Sequence, residues 1–538
     1  MSQKLSVILL IVAAFVLVVP QPSFGGGRQQ PTTTDGAARI TVEVFDRGTD
    51  GGRSRADNNA WTQWIQEKVK RDLNIDVTFI PVGRWSENTD IVNLMASASA
   101  PDLCYTYNGA MISSFQVQGG VTDLAPYIET LLPDMKKLLG EDDAIPGQYL
   151  IYRRREPATG RVYSVPSYIV ERQARKNIFI RKDWLDALGL PLPRTTQEFY
   201  QALVAFRDRD PGNVGRNRVI PFLQSSDARW GFNPFIFPFY DPSLSDRDRW
   251  VYGLGSPGGF GERSVMMPGY KEGLRMMNQW YNEGLIYRDF PLLTVSDDAN
   301  NIIKSGVVGA FSGNWDLPWR TDSKIVEDLR LNTPNAEYVP VDAIQSPDGI
   351  TRKDIGDKEG FYIFVPGFSR NVEGALKYLN WLSIFENFNF LQIGNPGVNH
   401  QLVNGVPRIL STPAGHPWFQ NSANNIDYTM PMNGIELLNK ERNARVIALG
   451  YGNTPPEVIV NAMNVAVTNG RAPPVLPGVV TTKNGIYGQT LEDKVDALIA
   501  QAVTARPADF DRIWDAGVRD YLASGGQEVL DERASLWR

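Results

Sequence analysis

Cysteine is almost missing from this chain of 538 residues: Cys104 stands alone, and histidine occurs only as His400 and His416. One thiol forms no internal disulfide, so the fold must be held by its apolar cores. A cysteine- or histidine-dependent nucleophile has little to draw on, because each needs a partner base within hydrogen-bonding reach. Two distant histidines and one cysteine also give no zinc spacing. Cys104 sits in the apolar stretch Asp102-Leu-Cys-Tyr-Thr-Tyr107 and reads as a buried structural thiol. A surplus of one charge is missing too: Lys and Arg number 54 against 60 Asp and Glu, for a net charge of -6. No long basic run is present to neutralise successive phosphates, which argues against nucleic acid as a partner. No fixed-period repeat occurs. Paired carboxylates stay open, since two acids across a cleft suffice for a glycosidase and spacing alone does not exclude them. Clusters such as Glu141-Asp142-Asp143 and Asp297-Asp298 read as solvated loop charges.

The chain opens on Met-Ser-Gln-Lys, an apolar run over 5–19, and then Pro20, Pro22 and three glycines at 25–27. That is the shape of a secretory signal peptide over 1–27, with small residues at Ser23 and Gly25 suited to cleavage. The run is shorter than the roughly 18 to 20 apolar residues of a spanning helix, and no other segment is apolar enough to span. No cysteine stands near the cleavage point to carry a lipid. A free periplasmic or extracellular protein is therefore expected, long enough for at least two lobes with separate cores.

Ile40-Thr-Val-Glu-Val-Phe45 alternates and is rich in β-branched residues, as a strand requires. Trp61, Trp64, Ile65, Val69 and Leu73 then recur at helical spacing before a second strand, Ile75-Asp-Val-Thr-Phe-Ile80. This βαβ order implies a parallel sheet. A helix over 88–99 and a short strand over 103–105 repeat the pattern. A strand over 177–180 leads into a helix that stops at Gly189. Thr195-Thr-Gln-Glu198 has capping-box spacing ahead of Phe199, Leu203 and Phe206. Further helices are expected over 270–282 and 372–385.

Aromatic and amide residues cluster beside turns: Trp85, Tyr105-Thr-Tyr107-Asn108, Tyr163-Ser-Val-Pro-Ser-Tyr168, Arg229-Trp230 and Ser312-Gly-Asn-Trp315-Asp316. A sugar presents an apolar CH face and a rim of hydroxyls, so it calls for flat aromatic platforms with Asp, Asn and Arg partners. Trp184 and Trp280 fall inside amphipathic helix patterns and belong to the core.

From Gly160-Arg-Val-Tyr-Ser-Val-Pro-Ser-Tyr-Ile to Phe179-Ile-Arg-Lys-Asp-Trp-Leu-Asp-Ala-Leu-Gly-Leu190 the sequence resembles extracellular solute-binding proteins of ABC importers. The likeness is to the carbohydrate-binding group related to maltose-binding protein. Pro101-Asp-Leu-Cys-Tyr, Pro193-Arg-Thr-Thr-Gln-Glu-Phe-Tyr-Gln-Ala-Leu, Trp280-Tyr-Asn-Glu-Gly-Leu-Ile286 and Gly309-Ala-Phe-Ser-Gly-Asn-Trp315 keep the group's order. The resemblance runs from about residue 40 to 390 and fades after 400.

It implies an α/β, two-lobed periplasmic-binding-protein fold of type 2, each lobe a sheet flanked by helices and joined by hinge segments. The lobes would comprise 39–167 with 341–405, and 168–340 with 406–538. The chain would cross near Val165 to Glu171, near Tyr338 to Ala343 and around 395–412. Ligand would close the lobes and the closed form would dock on an ABC permease, with the protein a monomer, without cofactor, and no bond made or broken. By the same likeness Asp46, Tyr105, Tyr107, Asn108, Tyr168, Arg172, Asn314 and Trp315 would face the cleft, with Trp85 and Trp230 as further candidates. Some members carry a calcium-like loop; here Asp210-Pro-Gly-Asn-Val-Gly has Gly212 and Val214 where oxygen donors should stand, so no metal is expected. Arg84 and Arg172, if they line the cleft, favour an anionic ligand such as a uronate. A secreted glycan-degrading enzyme with paired carboxylates and a receptor for peptides or another non-sugar solute are the alternatives.

Overall fold

The computed structural model describes residues 36–537, except 172, 175, 255–264, 295, 296, 343, 347, 352, 423, 424, 473, 477 and 480. The signal peptide expected over 1–27 and Arg172 lie outside the described residues. Among those described, no helix is long and apolar enough to cross a membrane.

The opening βαβ unit forms as its pattern demands. Strand β1 (Ala38–Asp46) is followed by helix α1 (Ala60–Leu73), then strand β2 (Ile75–Gly83), helix α2 (Glu87–Ala96), strand β3 (Cys104–Thr106) and helix α3 (Gly109–Val117). In α1 the buried residues Trp61, Ile65 and Val69 fall on one face, and Asn59 closes the N-terminus by accepting from the N–H groups of Trp61 and Thr62. Such a cap satisfies donors that the first turn leaves without partners. β1 and β2 pair in parallel, Ala38 opposite Ile75.

Strand β4 (Val165–Ile169) continues the first sheet, and β5 (Asn177–Arg181), β6 (Ile220–Leu223), β7 (Val308–Gly313) and β8 (Tyr338–Val341) make a second one in the order β6-β7-β5-β8. A two-residue strand β9 (Lys353–Asp354) precedes β10 (Glu359–Phe364), the hairpin β11 (His400–Val403) and β12 (Val406–Ile409), and β13 (Met432–Asn433). β13, β4, β10 and β3 are neighbours in that order, and a parallel bridge from Val42 to Leu103 joins β1 to this group.

Each of the two main sheets carries a large apolar centre, as expected of the two-lobed α/β class, and the second sheet packs a further cluster around Phe179, Phe311 and Ile325. One centre gathers Val42, Trp61, Ile65, Tyr105, Phe361 and Leu379. The other gathers Ile178, Trp184, Phe206, Phe222, Trp280 and, from the helix Thr482–Thr504, Val495 and Ile499. Thr195 and Glu198 make the reciprocal capping box that opens the helix Thr196–Arg209. Asp210 ends that helix in the left-handed region at φ 47°, and its two carboxylate oxygens accept from the N–H groups of Val214 and Gly215. The carboxylate thus fastens its own loop.

Three segments join the lobes. The chain leaves the first sheet after Ile169 and enters the second at Asn177. It returns between β9 and β10, later than the expected Tyr338 to Ala343, because Tyr338–Val341 is β8 and pairs along its length with β5. It crosses again after β13, whose Met432 pairs with Tyr168; the expected crossing around 395–412 is instead the β11–β12 hairpin.

The returning segment is held on both sides by buried charge. Lys353 Nζ reaches Asp342 Oδ1 at 2.6 Å and Arg249 Nη2 lies 3.6 Å from Asp354, both in the second lobe. Beyond Gly356, Asp357 accepts from Arg153 Nη1 at 2.6 Å and Glu359 from Arg154 Nε at 2.6 Å, both in the first lobe. Arg153 also donates to Asp142, so Asp142 is a buried ion-pair partner and not the solvated loop charge expected from its sequence. Removing one member of a buried pair strands the others without compensation. Arg153→Met is expected to cost about 3–5 kcal/mol, read as a lower midpoint in urea unfolding.

Candidate ligand-binding cleft

Strand direction decides which edges of the two sheets face each other. β10 runs antiparallel to both β3 and β4, and β1 lies parallel to β3 and to β2. The C-terminal ends of β1, β2, β3 and β4 therefore share one edge, and β4 leads from that edge into the second lobe. In the second lobe, β5 starts at the hinge, and β7 runs antiparallel to it with β6 parallel to β7. Their ends Gly313 and Leu223 consequently point back toward the first lobe. Ligands of α/β sheets sit beyond carboxyl strand ends, and here both lobes offer theirs to the same space.

A cavity of about 760 Å³ fills part of that space. Ile169, Glu171 and Gln173 of the first crossing and Asn433 and Gly434 of the third form its floor; Trp315, Asp316 and Arg320 come from the second lobe. The opposite wall is Ile409 to Thr412, with Phe419 and Gln420, a segment whose Trp418 packs edge-on against Trp61 of the first lobe. A second cavity of about 440 Å³, lined by Lys176, Ser225 and Ser312, shares Arg320 and Asp322 with the first.

A family model of bacterial extracellular solute-binding proteins matches residues 52–383. The chain belongs to that family. Among its relatives, the polygalacturonan/rhamnogalacturonan-binding protein YtcQ of Bacillus subtilis (strain 168) is 24% identical over 342 residues, 61% of this chain and 61% of YtcQ. The fructooligosaccharide ABC transporter substrate-binding protein FusA of Streptococcus pneumoniae (serotype 4, TIGR4) is 26% identical over 255 residues, 46% of this chain and 41% of FusA. The matches thus span less than two thirds of these relatives' lengths. In fold, an extracellular solute-binding protein from Bifidobacterium longum subsp. infantis superposes with a TM-score of 0.67, covering 94% of this chain and 99% of that one at 18% identity.

In this solute-binding protein several residues singled out from the sequence stand on the facing edges. Asp46 ends β1, is exposed, and accepts from Gly48 N–H at 3.0 Å. Trp85 is 79% exposed, and the Arg84 guanidinium lies 5.2 Å from its ring and 4.2 Å from that of half-buried Tyr107. Arg84 Nη1 donates to Glu87 at 2.9 Å, and Glu87 also accepts from Thr106 Oγ1 and Tyr107 N–H at 3.0 Å. In the second lobe Asn314 and Trp315 follow β7, and Trp315 borders the cavity with its ring 5.8 Å from that of Tyr451. Trp230 is half-buried beneath Arg229 and lines a small recess with Lys176 and Asn233.

Others take structural roles. Tyr105 is fully buried, its hydroxyl accepting from Phe45 N–H at 3.0 Å, so its ring belongs to the first core and not to the ligand face. β3 is buried along its whole length, and Tyr105 packs between Phe45 and Phe361. Asn108 caps α3 by accepting from Met111 N–H, and its amide donates to Asn88 at 3.1 Å. Tyr168 is half-buried in β4, packs on the first core, and donates its N–H to the Pro431 carbonyl.

Sequence reasoning passed over Arg320, Asp322, Tyr451 and the wall at 409–420. Tyr451 donates to Asp316 Oδ2 at 2.9 Å, and burial together with the Asp316 charge holds its phenol far above the ordinary value. Glu171 is raised by burial and by the nearby Glu436. On the first lobe, Arg47 grips Asp427 through Nε and Nη2 at 2.8 and 2.7 Å. Tyr105→Phe is expected to cost about 1–3 kcal/mol, since it strands the buried Phe45 N–H, in denaturant unfolding; ligand binding by the folded fraction should not change.

Proposed function

We propose that this chain is a secreted receptor that captures a carbohydrate between its lobes and hands it, chemically unchanged, to the membrane permease of an ABC importer. The observation that carries the reading is the cavity into which strand ends of both lobes open, with Trp315 at its side. Exposed Trp85 on the facing edge supplies a second platform of the kind a sugar's CH face stacks on. YtcQ and FusA, whose names state glycan ligands, support the same class.

We take the lobes as 38–169 with 359–433, and 177–354 with 435–537. A ligand that touches Trp315 and the 409–420 wall at once binds the closed arrangement better than the open one and so shifts the population toward it. His400 is buried with Nδ1 3.0 Å from the Ile393 carbonyl, His416 Nδ1 accepts from Trp418 N–H, and Cys104 is buried. None of the three lines the cavity. Chemistry that depends on histidine or cysteine thus has no group at the cavity among the described residues, and the names of YtcQ and FusA, a binding protein and a substrate-binding protein, support a receptor over a glycan-degrading enzyme. The extracellular family to which the chain belongs supports a periplasmic or extracellular location.

The test is a thermal-shift screen of the chain from residue 28 onward against glycans and peptides. Saturable stabilisation of about 2.7 kcal/mol is expected at a hundredfold excess of the right glycan over its Kd, with the glycan recovered intact. Trp315→Ala should weaken that binding by about tenfold or more, in line with the cost of losing a buried aromatic contact. A response to peptides alone, or a glycan returned cleaved, overturns the proposal.

A further inference from the structure

The charge around the cleft restricts the glycan it takes, an inference that rests on the receptor reading above. Among the described residues lining the two cavities, the cations are Lys176 and Arg320, and each is already engaged. Lys176 Nζ lies 2.8 Å from Asp227, and Arg320 Nη2 lies 2.8 Å from Asp316. The same holds on the first-lobe edge, where Arg84 is held by Glu87 and Arg47 by Asp427.

Among the described lining residues carboxylates are in surplus. Glu171, Asp316 and Asp322 all line the cavities; no described cation pairs directly with Glu171 or Asp322, and Lys440 acts on Glu171 only through its charge. Asp322 is exposed and accepts from Ser323 N–H at 2.6 Å, and its charge acts on Arg320 together with that of Asp316. A uronate entering this space would meet Glu171 and Asp322 as like charges and would have to compete with Asp316 for Arg320. Juxtaposed like charge is a strong rejecting element at an interface. Hydroxyl groups face no such conflict, because a carboxylate accepts from two of them at once.

Size points the same way for chain length. The cavities of about 760 and 440 Å³ meet at Arg320 and Asp322. The larger alone matches the roughly 300–1,000 Å³ that encloses a drug-sized ligand, well beyond one sugar ring.

We propose that the ligand is an oligosaccharide without acidic groups, bound across the Arg320–Asp322 junction with its hydroxyls donating to Glu171 and Asp322. Isothermal titration of the chain from residue 28 onward with neutral fructo-, xylo- and manno-oligosaccharides, their monosaccharides and oligogalacturonides of matched length tests this. A neutral oligosaccharide is expected to bind about tenfold or more tighter than its monosaccharide and than any oligogalacturonide, a gap of at least about 1.4 kcal/mol. Its affinity should hold between low and physiological salt, because no net charge is neutralised. Asp322→Asn should raise oligogalacturonide affinity severalfold. Oligogalacturonides binding as tightly as neutral chains would overturn the charge inference while leaving the receptor reading in place. Binding of no glycan at all would overturn the receptor reading and this inference together.

Discussion

Two sets of buried ion pairs bracket Gly356, and the working of the molecule turns on that arrangement. Lys353 and Asp354 are tied into the second lobe, Asp357 and Glu359 into the first. Between them lie only Ile355 and Gly356, each held by one backbone hydrogen bond, to the Arg471 and Gln173 carbonyls. Charges buried this way contribute little net stability over apolar substitutes, yet they penalise any arrangement that separates them. The return segment is thus clamped to each lobe right up to its pivot. The first and third crossings lie side by side through the pairing of Met432 with Tyr168. Rotation is confined to a narrow line under the cavity floor.

The cleft follows from the same geometry. Because β4 leaves the first sheet at its carboxyl edge, the ends of β1, β2 and β3 are brought to face the second lobe without any further device. The side chains there are fixed by pairing before any ligand arrives: Arg47 by Asp427, Arg84 by Glu87 and by stacking on Tyr107, Arg320 by Asp316. Pre-set side chains spare a ligand the cost of ordering them. They also spend the positive charge that would otherwise recruit an anion.

Much of the scaffold was legible in the sequence because it rests on local rules. The Trp61, Ile65, Val69 stripe, the Thr195–Glu198 capping box and the stop at Gly189 each depend on neighbours within a turn or two, and all three form. Turn residues after strands were legible as ligand-facing candidates, which brought Asp46, Trp85 and Trp315 to notice. Tyr105 was not separable from Tyr107 by type; both pack on Phe45 and Phe361, and what distinguishes them is that Tyr105 lies within the buried strand while Tyr107 lies just past its end. The pairing of Arg153 with Asp357 spans 204 positions, and the wall at 409–420 joins Trp315 through tertiary folding alone. No spacing rule reaches that far, so the hinge clamps and half of the cleft were out of sight.

The helix Thr482–Thr504 belongs to the second lobe's core, yet it also touches α3 of the first lobe. Along that contact runs a groove lined by Met111, Phe115 and Ile486. The lobes therefore meet at a point away from the three crossing strands. A swing about the hinge alone would have to drag this helix across α3, and parting the two would bare the apolar surface of Met111, Phe115 and Ile486 to water. The contact therefore acts as a stay on the door, resisting separation of the lobes at a place far from their pivot.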